Sequence, residues 1–199
     1  MVSDYFAVFG LPRKLEVDGE ALQRRFYELS REHHPDFHQG ADVERQAEAL
    51  ARSALVNRAY RALRDPLSRV EYLIALEEGR EGREGGSDRP KAPRELLQEM
   101  LEVQEALAEA KAEGLAGDAA DRLRQERARL EERYMAEAEA VVGRAAEWDG
   151  LVDAGGDRRP LLEWFKQRLA TRAYLRTVID DLSEALGERE EDHVSHRRH

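Results

Sequence analysis

The sequence predicts an all-α protein, from its composition and from the spacing of its apolar residues. Charged residues make up 37% of the 199 positions and aromatic residues only 7%, with 12 Val and 2 Ile in the whole chain. This composition is typical of amphipathic helices rather than of sheet. Apolar residues recur every three or four positions through most of the chain, which predicts one buried stripe on each helix. We therefore expect an N-terminal helical hairpin followed by a C-terminal antiparallel three-helix bundle.

Residues 1–76 are predicted to form the hairpin. Asp18 can cap a first long helix, and Pro35 disfavours helical geometry at His34, so the helix ends there. The apolar stripe of this helix is Leu22, Phe26, Leu29 and His33. A second helix is expected over 42–63, and Asp65-Pro66 is typical of a cap followed by proline in the first turn of a short helix.

A linker and a bundle are predicted after the hairpin. Residues 77–93, EEGREGREGGSDRPKAP, combine glycine, proline and charge, which is typical of a linker. Residues 94–187 contain three helical patterns: 94–111, a longer one over 118–153, and one that Pro160 opens and Gly187 closes. The seam of the first is predicted to be Leu96, Met100, Val103 and Leu107. Residues 188–199 are expected to be a disordered tail.

Charge and cysteine content exclude several classes of function. The net charge is −10 and there is no cysteine, so disulfides, thiol catalysis and cysteine-ligated metal centres are excluded. Residues 1–76 carry a net charge of −1 and residues 77–199 a net charge of −9. The acidic C-terminal part argues against nonspecific nucleic-acid binding and favours protein partners. With no apolar run near ~20 residues and no basic leader, we expect a cytoplasmic protein without a membrane partner.

The stretch HHPDFH, residues 33–38, concentrates three of the six histidines around a proline. It offers metal-ligand side chains in His33, His34, Asp36 and His38, but one short segment rarely encloses an ion and no second cluster completes the set. Three further histidines, His193, His196 and His199, lie in the predicted tail. A His–Asp pair could also serve as base and orienter, but no nucleophile, pocket or phosphate loop accompanies it. We expect no enzymatic activity, no cofactor and no metal; a histidine-ligated metalloprotein is the alternative.

Leu97 and Leu101 allow two interpretations. They lie away from the centre of the predicted seam and are bordered by Gln98, Glu102, Glu105 and Glu109. An apolar shoulder within an acidic field is typical of a protein-binding face. Alternatively, the two leucines widen the core face of the helix. Tyr174, in the last helix, is likewise open to a core or a surface role, and Trp148, Trp164 and Phe165 are assigned to packing.

Four segments carry a resemblance to a known family: DYFAVFGLP, RFYELSREHHPD, VNRAYRALRDPLSRVEYLIAL and LLQEMLEVQEALAEA. Together they resemble the HscB (Jac-type) J-domain co-chaperones of iron–sulfur cluster assembly. The resemblance covers nearly the whole chain, with a J-domain first and an acidic bundle second. Eukaryotic relatives carry an N-terminal cysteine zinc module, and since this chain has no cysteine it resembles the bacterial form.

The resemblance implies two docking surfaces and two partners. The J-domain, 1–76, would dock on an HscA/DnaK-type chaperone and stimulate its ATPase, and the bundle would deliver an IscU-type iron–sulfur scaffold. The implied chaperone-docking residues are Arg24, Arg25, Arg31, His34, Pro35 and Asp36. The implied scaffold-binding residues are Leu97, Gln98, Leu101, Glu102, Glu105, Glu109 and Tyr174. A generic J-domain adaptor with another client is the alternative.

Three departures from the family pattern accompany these assignments. Glu28 and Glu32 interleave with the arginines, so 24–32 carries a net charge of only +1 where J-domains are usually strongly basic. Phe37 stands where a lysine often follows HPD. Gln98 replaces a residue that can be apolar in relatives.

Overall fold

The computed structural model describes residues 4–34, 40, 42–79, 94–112, 114–115 and 117–187, without the side chains of residues 94 and 95. All regular structure in these ranges is helical, which confirms the predicted fold class. Eight helices lie within them: α1 (Tyr5–Val8), α2 (Gly19–Glu32), α3 (Val43–Arg64), α4 (Pro66–Glu77), α5 (Arg94–Ala112), α6 (Asp118–Val142), α7 (Ala145–Ala154) and α8 (Arg159–Ala185). Most of the predicted linker, 80–93, and the tail, 188–199, lie outside the described residues. No helix of the described part is long and apolar enough to cross a bilayer.

The chain divides into two compact units whose boundaries differ from those drawn on the sequence. The first unit combines Met1–Ser87 with Val142–Leu162, and the second combines Asp88–Val141 with Glu163–His199. A stretch within the predicted 94–187 segment, containing α7, therefore belongs with the N-terminal helices.

The first unit is built on the predicted hairpin of α2 and α3. Asp18 caps α2 by accepting hydrogen bonds from the backbone amides of its first turn, at 2.9 and 3.0 Å. Phe26 of α2 stacks on Tyr60 of α3 with ring centroids 4.1 Å apart. Asp65 caps α4 in the same way, with Pro66 in the first turn as predicted. The buried apolar side chains of these three helices include Leu22, Leu29, Val56, Ala59, Leu63, Val70 and Leu73.

The prediction of one helix over 118–153 is wrong, because α6 ends at Val142 and α7 begins at Ala145. Gly143 lies between them, and glycine is a poor helix former. The break allows Trp148 to pack in the first unit, where it is fully buried and its indole N–H donates to the Arg13 carbonyl at 3.3 Å. Gly155 then ends α7 in the left-handed conformation, with φ of 62°.

Two buried charged side chains hold the segment that precedes α2. Asp149 of α7 accepts hydrogen bonds from the backbone amides of Leu15 (2.7 Å) and Glu16 (2.9 Å). Arg69 of α4 donates to the carbonyl of Leu15 and, at 2.8 Å, to that of Leu63. Burial lowers the pKa of the Arg69 guanidinium, while the charges of Asp65 and Asp149 act in the opposite direction.

The second unit is a bundle of α5, α6 and most of α8. Its core joins the predicted seam residues Leu96, Val103 and Leu107 to leucines and a valine of the other two helices, and Met100 packs against it partly buried. The members from α6 and α8 are Leu123, Leu130, Leu175, Val178 and Leu182. Polar contacts also cross between helices, since Arg168 of α8 binds both oxygens of the buried Glu137 of α6 at 3.1 and 3.2 Å. Residues 113–117 connect α5 to α6, and so short a connection makes these two helices antiparallel.

We expect Asp149→Ala to destabilise the first unit by about 2–3 kcal/mol, because one buried and one partly buried amide lose a charged acceptor. Urea unfolding followed by Trp148 fluorescence, in a Trp164→Phe background, measures this change. Asp153→Ala is the matched control: the same helix loses a carboxylate that is 65% exposed and pairs with Lys14. It should cost much less, and equal losses for the two variants would contradict the role given to Asp149.

Candidate protein-docking surfaces

The solvent-facing side of α2 carries the predicted docking arginines. Arg24, Arg25 and Arg31 are all exposed, whereas Leu22 and Leu29 of the opposite side are buried. Arg25 lies 2.9 Å from Glu28, and Arg24 lies 3.6 Å from Glu20. Such exposed ion pairs are weak, so a partner's carboxylate can compete for either arginine.

Tyr27 is a member of this surface that was absent from the predicted set. Its side chain is 60% exposed and lies between Arg24 and Arg31 on the helix. A tyrosine flanked by arginines is a composition enriched at protein interfaces. The sequence carried the signal, since Tyr27 falls outside the stripe of Leu22 and Leu29.

Of the HHPDFH stretch, residues 33–38, the structure describes only His33 and His34. His33 is half-buried at the C-terminal end of α2, where its amide donates to the Leu29 carbonyl at 3.0 Å, and His34 is exposed. The predicted docking residues Pro35 and Asp36 lie outside the described residues, as do Phe37 and His38. Within the described ranges, no group of three acidic or histidine side chains is arranged to hold a metal ion.

The apolar shoulder of α5 is exposed. Leu97 is 47% and Leu101 59% exposed, while Leu96 and Leu107 of the same helix are almost fully buried. The two shoulder leucines therefore do not widen the core face of α5. Their role in binding a protein stays a prediction. The polar residues around them, Gln98, Glu102, Glu105 and Glu109, are all exposed.

Tyr174 of α8 is half-buried and packs against the core of the second unit. Tyr174 therefore contributes to the core, and the scaffold-binding role implied for it stays a prediction. Gln104 of α5 donates a hydrogen bond to Asp181 of α8 at 3.0 Å, which ties the two helices together. Neither residue was singled out from the sequence, because a contact between residues 77 positions apart leaves no local pattern.

A family comparison identifies the N-terminal part. The model of the DnaJ domain matches residues 4–72, which span α1 to α3 and the first half of α4. The chain therefore contains a J-domain. The match includes the α2–α3 hairpin and the arginine-bearing face of α2.

Solved structures of HscB resemble this chain along nearly its whole length. The chaperone HscB from Vibrio cholerae is 24% identical, with a TM-score of 0.58, covering 94% of this chain and 99% of that one. The crystal structure of the human co-chaperone protein HscB is 27% identical, with a TM-score of 0.61, covering 92% of this chain and 81% of that one. The resemblance to HscB co-chaperones inferred from the sequence is thereby confirmed.

We expect Leu101→Ala to leave the stability of the second unit within about 0.5 kcal/mol of the parent value, because the leucine packs against little. Leu107→Ala, on the same helix and 4% exposed, should cost about 2–5 kcal/mol. Chemical unfolding monitored by circular dichroism measures both. A large loss for Leu101→Ala would show that the shoulder belongs to the core.

Proposed function

We propose that this J-domain protein is a co-chaperone of iron–sulfur cluster assembly. It stimulates the ATPase of an HscA/DnaK-type chaperone and delivers an IscU-type scaffold protein to it. The observation that carries the proposal is the likeness to HscB structures over both units rather than over the J-domain alone. A J-domain by itself specifies the class of chaperone, and the second unit is what makes the client specific.

The first unit supports the chaperone half of the proposal. Arg24, Tyr27 and Arg31 form a cationic and aromatic face on a helix that two buried leucines and the Asp18 cap hold in place. An acidic surface of the chaperone would meet these arginines through charge-assisted hydrogen bonds. Because Glu28 and Glu32 reduce the net charge of this face, we expect docking to be modest in strength and selective for one chaperone.

The HPD corner would act on a conformational equilibrium rather than by chemistry. His34 comes one residue after His33, the C-cap of α2. The residue that follows it in the sequence is a proline, a residue type whose ring restricts φ. Bound against the chaperone, these groups favour its hydrolysis-competent state by contacting that state better than the alternative. The ATP, its metal ion and all catalytic groups belong to the chaperone in this scheme.

The second unit supports the client half. Leu97 and Leu101 present apolar area to solvent, and Glu102, Glu105 and Glu109 place negative charge along one side of it. Apolar burial would supply affinity, while the glutamates would favour a partner with cationic side chains around an apolar patch. Gln98 is a polar residue at the edge of this face, and it reduces the apolar area there.

We expect His34→Gln to abolish stimulation of the chaperone's ATPase, because the exposed histidine is proposed to contact the chaperone. Single-turnover ATP hydrolysis by the DnaK- or HscA-type chaperone of the source organism measures this. Helicity and melting temperature should stay at their parent values.

His33→Gln is the matched control for that experiment. It makes the same chemical change one residue earlier, at a half-buried side chain inside the unit. We expect it to retain stimulation even where it lowers the melting temperature. Full stimulation by His34→Gln would show that this corner only ends the helix.

We expect Leu97→Ala/Leu101→Ala to weaken binding of the iron–sulfur scaffold at least about tenfold, because truncating two central apolar side chains removes most of the contact energy. Adding Tyr174→Ala should weaken it further. Calorimetric titration against the scaffold of the source organism measures both variants, after circular dichroism has shown that they remain helical.

Val43→Ala/Leu50→Ala controls for the loss of exposed apolar surface. These residues of α3 are 83% and 60% exposed and lie in the other unit. The control should bind the scaffold like the parent protein. If the parent protein does not bind the scaffold, the client is a different protein and only the J-domain half of the proposal stands.

A further inference from the structure

A hydrogen bond between Gln104 and Asp181 lies beside the proposed client-binding face. The Gln104 side-chain amide donates to Oδ2 of Asp181 at 3.0 Å, and both residues are exposed. Among the described residues, nothing donates to Oδ1 of Asp181, and no lysine or arginine lies within ion-pairing distance of it. The hydrogen bond orients the carboxylate without neutralising its charge.

Gln104 belongs to the same face of α5 as the shoulder leucines. At about 100° per residue, Leu97, Leu101 and Gln104 fall within an arc of about 60°, with Gln104 at the end of the arc nearer to α8. Glu105 and Glu109 lie on the other side of Leu101, away from α8. The leucines are therefore bordered by glutamates on one side and by Asp181 on the other.

Asp181 also lies in line with Tyr174 on α8. The two residues are seven positions apart, or about 20° on the helix, so both are on the side that contacts α5. Asp180 points elsewhere: it is half-buried, and its carboxylate lies 3.8 Å from Arg176 on its own helix. Two consecutive aspartates thus have different environments, and only one extends the face formed by Tyr174, Leu97 and Leu101.

We propose that Asp181, positioned by Gln104, is a specificity-determining residue of the client-binding face and takes a lysine or arginine side chain of the scaffold. This inference rests on the proposed function and deepens it. The client that fits has an apolar centre with cationic side chains on both sides of it. Gln104 acts through Asp181, as a positioning residue.

Asp181→Asn separates charge from hydrogen bonding. The asparagine carbonyl can still accept from Gln104, so the tie between α5 and α8 is kept while the negative charge is lost. Titration of the scaffold at low ionic strength should show binding about threefold to fivefold weaker, the upper part of the range for an exposed ion pair. The difference should shrink at near-physiological salt, and the melting temperature should not change.

Asp180→Asn is the matched control, because it removes the same charge from the neighbouring position on α8. It should bind the scaffold like the parent protein. Equal weakening by the two variants would show that only the general negative field matters, and unchanged binding by Asp181→Asn would also overturn the inference. Absence of binding by the parent protein would overturn the client half of the proposed function, and this inference with it.

A double-mutant cycle tests the positioning role of Gln104. Gln104→Ala should weaken scaffold binding in the parent background and have no further effect in the Asp181→Asn background. Losses that add would show that Gln104 does not act through Asp181. A purely structural contact would instead lower the melting temperature of Gln104→Ala and leave its affinity for the scaffold unchanged.

Discussion

The buried carboxylate of Asp149 is the interaction on which the first unit depends. The segment leading into α2 is not helical at Leu15 and Glu16, so its backbone amides need acceptors from elsewhere. A residue 134 positions further along the chain supplies one for Leu15, and the same carboxylate serves Glu16. Arg69 donates a hydrogen bond to the carbonyl of Leu15. The start of α2, the helix proposed to dock on the chaperone, is thus fixed by charged groups on α4 and α7.

This arrangement makes the N-terminal unit discontinuous in sequence. The DnaJ-domain match ends at residue 72, but Trp148 is fully buried in the same unit and Arg158 pairs with Glu77. A fragment cut at the linker would leave the amides of Leu15 and Glu16 without their acceptor and Arg69 without one of its compensating charges. Contacts this distant in sequence form late and slow folding, because a long loop must close before they can be made.

The sequence was sufficient wherever a local rule decided the structure. The caps at Asp18 and Asp65, Pro66 in the first turn of α4 and the bundle seam of α5 all follow from spacing and capping chemistry. It was insufficient at the junction of α6 and α7, where only Gly143 marks the break and burial of Trp148 in the other unit requires it. The exposure of Leu97 and Leu101 was equally undecidable, because the width of a core face depends on where neighbouring helices lie.

Exposed leucines favour self-association of the protein, and the acidic residues around them oppose it. Two copies of the protein would bury apolar area by pairing through Leu97 and Leu101, but Glu102, Glu105 and Glu109 of each copy would then face like charges. The net charge of −10 opposes the same encounter over longer distances. A cationic partner is instead attracted by Glu102, Glu105 and Glu109. In the proposed role, charge therefore selects which protein covers the leucines, while the buried apolar area supplies most of the affinity.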